Sequence, residues 1–331
     1  MSIIKTKKQT KFKLDMLGYH ISVSDGLLEM LQYIISQSKQ PIKCVQIFAG
    51  NNRASTLTAK TKYTPSQIIS LKSFISKYNI HLFIHMVYVI NMCNPIIPKY
   101  SYIHSNILHD LILCNSIGGK GVVIHLGTIS HTNNSTSNLI SNIQLILKKY
   151  IQYLSKYFSM NNITNNNNPK TMAKLILETN SGQGNQIAYS IDDFYHLYST
   201  LIKTSHNIHH NFNIKQLLGI CIDTSHIYTA GYDINKPTIM KSTILKFAKL
   251  FGGIDVIHLN DNPFSVGSKK DIHAIISTGH IFANSTGKIA LKWLINYANK
   301  YKIPIILETS GASTINNNHI YSDQIKYLRS I

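Results

Sequence analysis

Short runs of β-branched and apolar residues recur along the chain, separated by segments of helical periodicity. There are eight runs: LGYHISV (17–23), CVQIFA (44–49), HLFIHMVY (81–88), GVVIHLG (121–127), KLILET (174–179), LLGICIDTS (217–225), VIHLND (256–261) and PIILETS (304–310). Their near-continuous apolar character is typical of parallel strands buried on both faces. Eight such strands alternating with helices predict an α/β fold, a closed (β/α)8 TIM barrel.

A doubly wound open sheet is the rival architecture. That architecture typically has a glycine-rich phosphate-binding loop after the first strand, but here the chain reads HISVSDGLL (20–28), which is not such a loop. We therefore expect a basic N-terminal tail over 1–15 and a single catalytic barrel domain over 16–331. The Asn-rich stretch at 161–169 is interpreted as an insertion ahead of the fifth strand.

The charge balance points to a polyanionic partner. Lys and Arg number 33 against 14 Asp and Glu, which gives a net charge of +19. Nucleic acid is the first expectation and an anionic membrane surface the second. No apolar stretch approaches the ~20 residues of a membrane span, and the N-terminus lacks a secretory h-region. The four cysteines form no C-x-x-C pair, so we expect a reduced intracellular compartment.

Polar residues stand where the predicted strands end. Six strands finish in a metal-type ligand: His85, His125, Glu178, Asp223, His258 and Glu308. His226 follows Asp223 at i+3, and the pair Asp271 and His273 lies in the loop after the seventh strand. Barrel active sites are built at the carboxyl ends of the strands, so these nine side chains should converge on one rim.

Nine converging ligands indicate a metal centre. An uncompensated buried carboxylate costs several kcal/mol, and shared cations can hold four carboxylates and five imidazoles together. The donors are nitrogen and oxygen only, which suits zinc or manganese in a catalytic site. Nine ligands exceed the needs of one tetrahedral ion. Three ions with bridging carboxylates fit the count.

Three long segments resemble the endonuclease IV family of zinc-dependent abasic-site DNA repair enzymes. They are LETNSGQG (177–184), CIDTSHIYTAGYD (221–233) and HLNDNPFSVGSKKDIH (258–273). The resemblance covers about nine-tenths of the chain and includes the terminal Asp-x-His pair.

The resemblance implies three zinc sites. His85 and His125 would hold one ion, with Glu178 as a bridge to the next. Glu178, Asp223, His258 and Glu308 would hold the second, and His226, Asp271 and His273 the third. Zinc is expected at all three, with Mn²⁺ as an alternative at one position.

The resemblance also implies a reaction. It is hydrolysis 5′ to abasic sites in duplex DNA, leaving a 3′-hydroxyl, with removal of blocked 3′ ends as a companion activity. Glu178 and Glu308 are the expected catalytic carboxylates.

Three positions depart from the family pattern. The usual Cys before the motif histidine is Ser225, the Arg of the Asp-Arg-His element is Ile272, and a usual glycine is Ser277. These departures concern loop detail and phosphate contacts rather than the metal ligands.

The loops after the second and third strands are expected to read the abasic site. Arg53 is one of two arginines in a lysine-rich chain, which favours a role for its planar, bidentate geometry. Tyr88 resembles the family's minor-groove wedge, and Asn51 and Gln46 are weaker DNA-binding candidates.

Two other functions remain open. One is a metal-dependent sugar isomerase or epimerase on the same barrel, although such enzymes typically need two metals at most. The other is a DNA-binding protein without turnover. We expect a monomer, with no membrane partner, in the cytoplasm or nucleus, or in a viral factory or virion if the source is viral.

Overall fold

A computed structural model describes residues 16–37, 42–129, 133–160, 172–205, 212–309 and 319–331. The predicted basic tail at 1–15 and the Asn-rich insertion at 161–169 lie outside the described residues.

Eight parallel strands form a closed barrel in the order β1 to β8. They are β1 Leu17–Ile21, β2 Cys44–Phe48, β3 His81–His85, β4 Gly121–Ile124, β5 Lys174–Glu178, β6 Leu218–Asp223, β7 Val256–His258 and β8 Ile305–Leu307. Each lies within one of the eight apolar runs, and β1 pairs with both β2 and β8 to close the sheet. The prediction of a single-domain (β/α)8 barrel is confirmed.

In the described segments, ten α-helices surround the barrel. They are α1 Leu27–Ser36, α2 Pro65–Tyr78, α3 Tyr102–Ser116, α4 Thr136–Met160, α5 Ile191–Thr204, α6 Ile214–Leu217, α7 Thr224–Thr229, α8 Pro237–Phe251, α9 Ser285–Tyr301 and α10 His319–Ser330. Polar caps fix several of the starts. The Thr64 side chain accepts a hydrogen bond from the backbone N–H of Gln67 to begin α2, and Asn284 accepts one from Gly287 to begin α9.

The core has two layers because the strands are buried on both faces. Inside the barrel lies a cluster of Cys44, Phe83, Val123, Ile176, Cys221, Val256 and Ile306, drawn from seven of the strands. The larger apolar layer lies between the sheet and the helices. Filling both layers makes the barrel a packed core, so ligands are restricted to its rim.

The carboxyl edge of the sheet is that rim. The regular strands are shorter than the apolar runs, because each run continues into the loop that follows. His85, Glu178 and Asp223 end their strands, whereas His125 and Glu308 are the first residues after β4 and β8. In the part of the chain that is described, no helix is long and apolar enough to cross a membrane.

Candidate metal centre and DNA-contacting loops

The buried carboxylate of Glu178 lies at the centre of the predicted ligand set. Its oxygens approach four imidazoles: His85 Nε2 at 3.3 Å, His125 Nδ1 at 3.5 Å, His226 Nδ1 at 3.7 Å and His258 Nδ1 at 2.8 Å. These histidines come from four different strands or the segments that follow them. The fold therefore brings together side chains separated by up to 173 positions, from His85 to His258.

A second group shares Glu178. Donor atoms of Glu178, Asp223, His258 and Glu308 all lie within 4.8 Å of one another. Oε2 of Glu308 is 3.1 Å from Nδ1 of His258. One cation could be held by all four, which is the set that the resemblance assigns to the second ion.

A third group surrounds Asp271, in the loop after β7. Its Oδ1 is 3.0 Å from Nε2 of His226 and 3.4 Å from Nε2 of His273. Nε2 of His273 also lies 3.6 Å from Oδ2 of Asp223. The structure thus brings all nine sequence-predicted ligands into one continuous cluster.

Hydrogen bonds to backbone carbonyls fix the ring orientation of two histidines. His85 Nδ1 donates to the carbonyl oxygen of Met86 at 2.7 Å, and His226 Nδ1 donates to that of Thr179 at 2.7 Å. Because a carbonyl only accepts, these nitrogens carry protons and leave Nε2 for other partners. Such supports are the usual companions of metal-binding histidines, since they set the tautomer and the direction of the free lone pair.

The cluster strongly perturbs its own titration. Burial alone would raise the pKa of Glu178, but His125 and His258 hold it well below its usual value. The pKa of Glu308 is also lowered, because the effect of the nearby His258 outweighs the effect of burial, which alone would raise it. Burial opposes the rise for His226 as well, yet Asp223 and Asp271 hold its pKa well above the ordinary value. In the absence of a cation, protons on imidazole balance the carboxylates.

Several buried imidazole nitrogens are suited to bind a cation, because they have no hydrogen-bond partner among the described residues. Among the described residues, His125 Nδ1, His226 Nε2 and His273 Nε2 are buried without a hydrogen-bond partner. Each faces a carboxylate oxygen within 3.5 Å. Nitrogen and oxygen donors at this spacing suit zinc or manganese, so the residues present fit the implied metal.

The cluster opens into a cavity of about 320 Å³ at the rim. It is lined by His85, Tyr88, His125, Glu178, His226, Asp271, Ile272, His273 and Glu308. Asp223 and His258 are fully buried beneath it. Seven of the nine ligands therefore border a space that a substrate can enter.

Asp261 organises the loop that carries Asp271 and His273. This buried carboxylate accepts hydrogen bonds from the backbone N–H groups of Asn262, Ser277, Gly279, Ile281 and Phe282. The sequence reasoning did not single it out. The polar end of the run VIHLND was the available signal.

Two of the departures from the family pattern have local explanations. Ser277 adopts a left-handed backbone with φ of 70°, a conformation that favours glycine. Two hydrogen bonds hold Ser277 in this conformation: its backbone N–H donates to Asp261, and its hydroxyl donates to Tyr327 Oη at 2.8 Å. Ser225 is buried, and its hydroxyl accepts a hydrogen bond from Asn262 at 2.7 Å. Neither change disturbs a predicted ligand.

Gln46 lies in the buried part of the site, which corrects the expectation that it contacts DNA. Its side chain has 0% exposure. Its amide nitrogen donates to Glu308 Oε1, and its carbonyl oxygen accepts from His258 Nε2 at 2.9 Å. The residue projects into the barrel because side chains along β2 alternate between its faces. Gln46 thereby fixes the tautomer of His258 and leaves Nδ1 facing Glu178.

Asn260 is a further support that sequence reasoning missed. Its amide nitrogen donates to Asp223 Oδ2 at 2.6 Å and to Glu308 Oε2 at 3.1 Å. It therefore joins two predicted ligands from different strands.

The other predicted DNA-contacting residues are exposed. Arg53 and Asn51 lie in the loop after β2, where Asn51 Oδ1 accepts a hydrogen bond from the backbone N–H of Arg53 at 2.9 Å. Tyr88 is 61% exposed, and its ring packs edge-on against Phe48 with centroids 5.3 Å apart. The Tyr88 N–H also donates to the carbonyl of Asn52, which ties the two loops together.

The fold and the site define a class of protein. A family model described as Xylose isomerase-like TIM barrel matches residues 39–331. An endonuclease 4 of Acanthamoeba polyphaga mimivirus is 30% identical over 303 residues, covering 88% of this chain and 85% of the viral protein. The chain belongs to the endonuclease IV family within this class of barrels.

Solved structures share the architecture. Endonuclease IV from Thermus thermophilus superimposes with a TM-score of 0.68, at 18% identity, over 94% of this chain and 99% of the other. A D-tagatose 3-epimerase-like protein superimposes with a TM-score of 0.57, at 14% identity, over 95% and 98%. At these identities the superpositions show a common fold, so the reaction must be argued from the site.

Proposed function

We propose that this protein is a DNA repair endonuclease that hydrolyses the phosphodiester 5′ to abasic sites in duplex DNA and leaves a 3′-hydroxyl. Removal of blocked 3′ ends is the proposed companion activity. The observation that carries the proposal is the convergence of nine nitrogen and oxygen ligands, with Glu178 at their centre, at the mouth of the barrel. Membership of the endonuclease IV family supports it.

The proposed cofactor is a set of three zinc ions, with Mn²⁺ as an alternative at one position. His85, His125 and Glu178 would hold the first ion, and Glu178, Asp223, His258 and Glu308 the second. His226, Asp271 and His273 would hold the third. Bound zinc supplies Lewis-acid activation of the phosphate and brings the pKa of a coordinated water near neutrality.

The two glutamates have distinct proposed roles. Glu178 is buried and ionised, and its contacts with four imidazoles fix the direction of both oxygens. Its proposed role is to orient an attacking water. Glu308 borders the cavity, and hydrogen bonds from Gln46 and Asn260 hold its two carboxylate oxygens.

Recognition of the lesion is assigned to the exposed loops. An abasic nucleotide has lost its base stacking, so its extrusion into a cavity costs less than flipping a normal nucleotide. Tyr88 lies at the mouth of that cavity, where it can fill the gap left in the duplex. Arg53 and Asn51, one loop away, are proposed to contact the DNA backbone. The monomeric state and the intracellular location remain predictions.

A sugar isomerase or epimerase is the second candidate. The shared barrel supports only a common fold and not this reaction. The group of His226, Asp271 and His273 would hold a third metal ion, whereas such an enzyme typically needs two at most. A chain with a net charge of +19 gains nothing from this charge in binding a neutral sugar.

One experiment separates the candidates. The protein is incubated with a duplex carrying one tetrahydrofuran abasic analogue, with and without a zinc chelator, beside a Glu308→Gln variant. We expect metal-dependent incision 5′ to the analogue by the native chain and none by the variant. An intact duplex together with interconversion of ketose and aldose would establish the isomerase. Binding without incision would establish the binding-only protein.

A further inference from the structure

The outer surface of α9 carries a repeat with a four-residue period. The helix reads STGKIALKWLINYANKY, in which the pairs Lys-Ile, Lys-Trp, Asn-Tyr and Lys-Tyr recur at every fourth position. Because residues four apart are neighbours on a helix, the pairs form two parallel rows. The lysine row is Lys288, Lys292, Asn296 and Lys300, and the aromatic row is Ile289, Trp293, Tyr297 and Tyr301.

The three rings of the aromatic row contact one another in sequence: Trp293 stacks on Tyr297, and Tyr301 is tilted by 47° against Tyr297. The ring centroids of Trp293 and Tyr297 are 5.2 Å apart with planes at 23°, and those of Tyr297 and Tyr301 are 4.7 Å apart. Trp293 and Tyr297 are half-buried, with part of each side chain against the core. Ile289 and Tyr301 are 58% and 55% exposed. Ile289 and Tyr301 are therefore open to solvent at the two ends of the row, and Trp293 and Tyr297 are partly exposed between them. The Lys300 ammonium lies 5.1 Å from the centroid of the Tyr301 ring, so the two rows are in contact.

Packing of α9 onto the barrel accounts for the buried parts of Trp293 and Tyr297 but not for the exposed side chains of Ile289 and Tyr301. The helix is anchored by a different face, formed by Gly287, Ala290, Leu291, Leu294, Ile295 and Ala298. Ala290, Leu294 and Ala298 are buried, whereas Trp293 and Tyr297 are half-buried at the edge of this face. Contiguous exposed apolar surface of this kind marks a binding site more often than a structural need.

The lysine row gives the surface a single sign of charge. Lys288, Lys292 and Lys300 are exposed, and in the described part of the chain no carboxylate oxygen lies within 4.0 Å of their ammonium groups. Neither α9 nor its packing neighbour α8 contains an acidic residue. From Lys288 to Lys300 the row spans about 18 Å of helix, long enough to follow several phosphates.

The two rows run along the flank of the barrel. Since α9 connects β7 to β8, it begins on the side of the carboxyl edge and ends at the opposite end of the sheet. The surface therefore starts on the side of the proposed catalytic rim and leads away from it. None of its residues lines the 320 Å³ cavity.

We propose that this face of α9 binds single-stranded DNA, with bases stacked on the aromatic row and phosphates held by the lysine row. Stacking rings beside a basic track are the combination by which proteins hold unpaired strands without reading sequence. A duplex offers the same phosphates but keeps its bases paired, so the aromatic row selects the unpaired form. This binding is separate from the incision reaction and does not require metal.

Trp293 provides a direct probe because it is the chain's single tryptophan. The full-length protein is titrated with an undamaged oligothymidylate while tryptophan fluorescence is followed. We expect saturable quenching that weakens as salt rises. The Lys288→Gln, Lys292→Gln, Lys300→Gln triple variant should bind at least tenfold more weakly, with a salt slope smaller by roughly two. The triple variant Lys148→Gln, Lys149→Gln, Lys156→Gln on α4 removes the same charge elsewhere and should bind normally.

Stacking is tested separately from charge. Tyr301→Ala should weaken oligothymidylate binding on the order of tenfold, and Tyr301→Phe should restore it. Incision of the abasic duplex by the α9 triple variant should stay near the native rate, which separates this proposal from the proposed function. Absence of quenching, or equal losses in the α9 and α4 triple variants, would overturn it. Equal quenching by duplex, or a blue shift with anionic phosphatidylserine vesicles and none with oligothymidylate, would also overturn it.

Discussion

The backbone N–H of His226 donates to Oδ1 of Asp223 at 3.0 Å, so one predicted metal ligand positions another. Asp223 ends β6 and is the N-cap of α7, whose third residue is His226. The i+3 spacing of the two residues is that of an N-cap and the N–H it accepts. The other oxygen of Asp223 remains free to face Asn260 and His273.

This double role predicts different outcomes for two substitutions of Asp223. Asn caps helices as well as Asp does, so Asp223→Asn should fold normally but lose bound zinc and several orders of magnitude in incision rate. Asp223→Ala should lose the same activity and be less stable than the Asn variant by about 1 kcal/mol. Metal analysis and denaturant unfolding test this. Asp25→Asn, at an exposed position, is the control, and native zinc content in Asp223→Asn would remove Asp223 from the ligand set.

Gln46 predicts an effect on metal affinity without any contact to DNA. Because its carbonyl oxygen fixes the His258 tautomer and its amide holds Glu308, Gln46→Met should weaken zinc binding by roughly 10–100-fold. Affinity for an abasic duplex at saturating zinc should change little. Competition with a chromogenic chelator measures the first and fluorescence anisotropy the second. A selective loss of DNA affinity with native zinc binding would contradict this role.

Tyr88 predicts the opposite pattern. Its exposed ring lies at the mouth of the cavity, so Tyr88→Ala should weaken binding of abasic duplex by roughly 1–3 kcal/mol and leave zinc content unchanged. Tyr88→Phe should restore binding because the ring rather than the hydroxyl fills the gap. Tyr195→Ala on α5 is the matched control. Native affinity in Tyr88→Ala would exclude the residue as a wedge.

The metal-free protein should lose stability as the pH rises. Burial alone would lower the pKa of His273, but Asp223, Asp271 and Glu308 raise it from 6.5 to about 9. A raised folded-state pKa stabilises the protein fully below 6.5, and this stabilisation is lost as the pH rises through about 9. The raised pKa values of His226 and His258 act in the same direction.

Thermal unfolding of chelated and zinc-loaded protein between pH 6.5 and 9 tests this. The melting temperature of the chelated form should fall across that range, and His273→Gln should reduce the fall. The zinc-loaded form should change far less because cations replace the protons. A melting temperature of the chelated form that rises with pH would contradict the assignment of protons to the imidazoles.

Much of the fold, and the clustering of the nine candidate ligands, followed from local sequence pattern. Strands buried on both faces must be apolar throughout, so residues such as Glu178 and Asp223 stood out where their runs ended. The closed barrel then required those ends to meet, whichever side chains lined them.

The supporting residues could not be assigned in this way. Gln46 was predicted to contact DNA, but its side chain points into the barrel. The direction follows from the alternation of side chains in β2, and the face that a polar residue occupies cannot be inferred from its presence in a strand. Asn260 and Asp261 form hydrogen bonds with residues distant in sequence: Asn260 donates to Asp223, and Asp261 accepts from the backbone N–H of Phe282. Such contacts exist only after the loops have closed over the barrel.

The most direct measurement is zinc titration of the metal-free protein with incision of the abasic duplex as the readout. A trinuclear site that depends on His226, Asp271 and His273 predicts that incision appears only as the third equivalent binds. It also predicts that His273→Gln binds two equivalents and remains inactive. Full incision after one or two equivalents, in the native chain or in His273→Gln, would contradict the three-zinc centre.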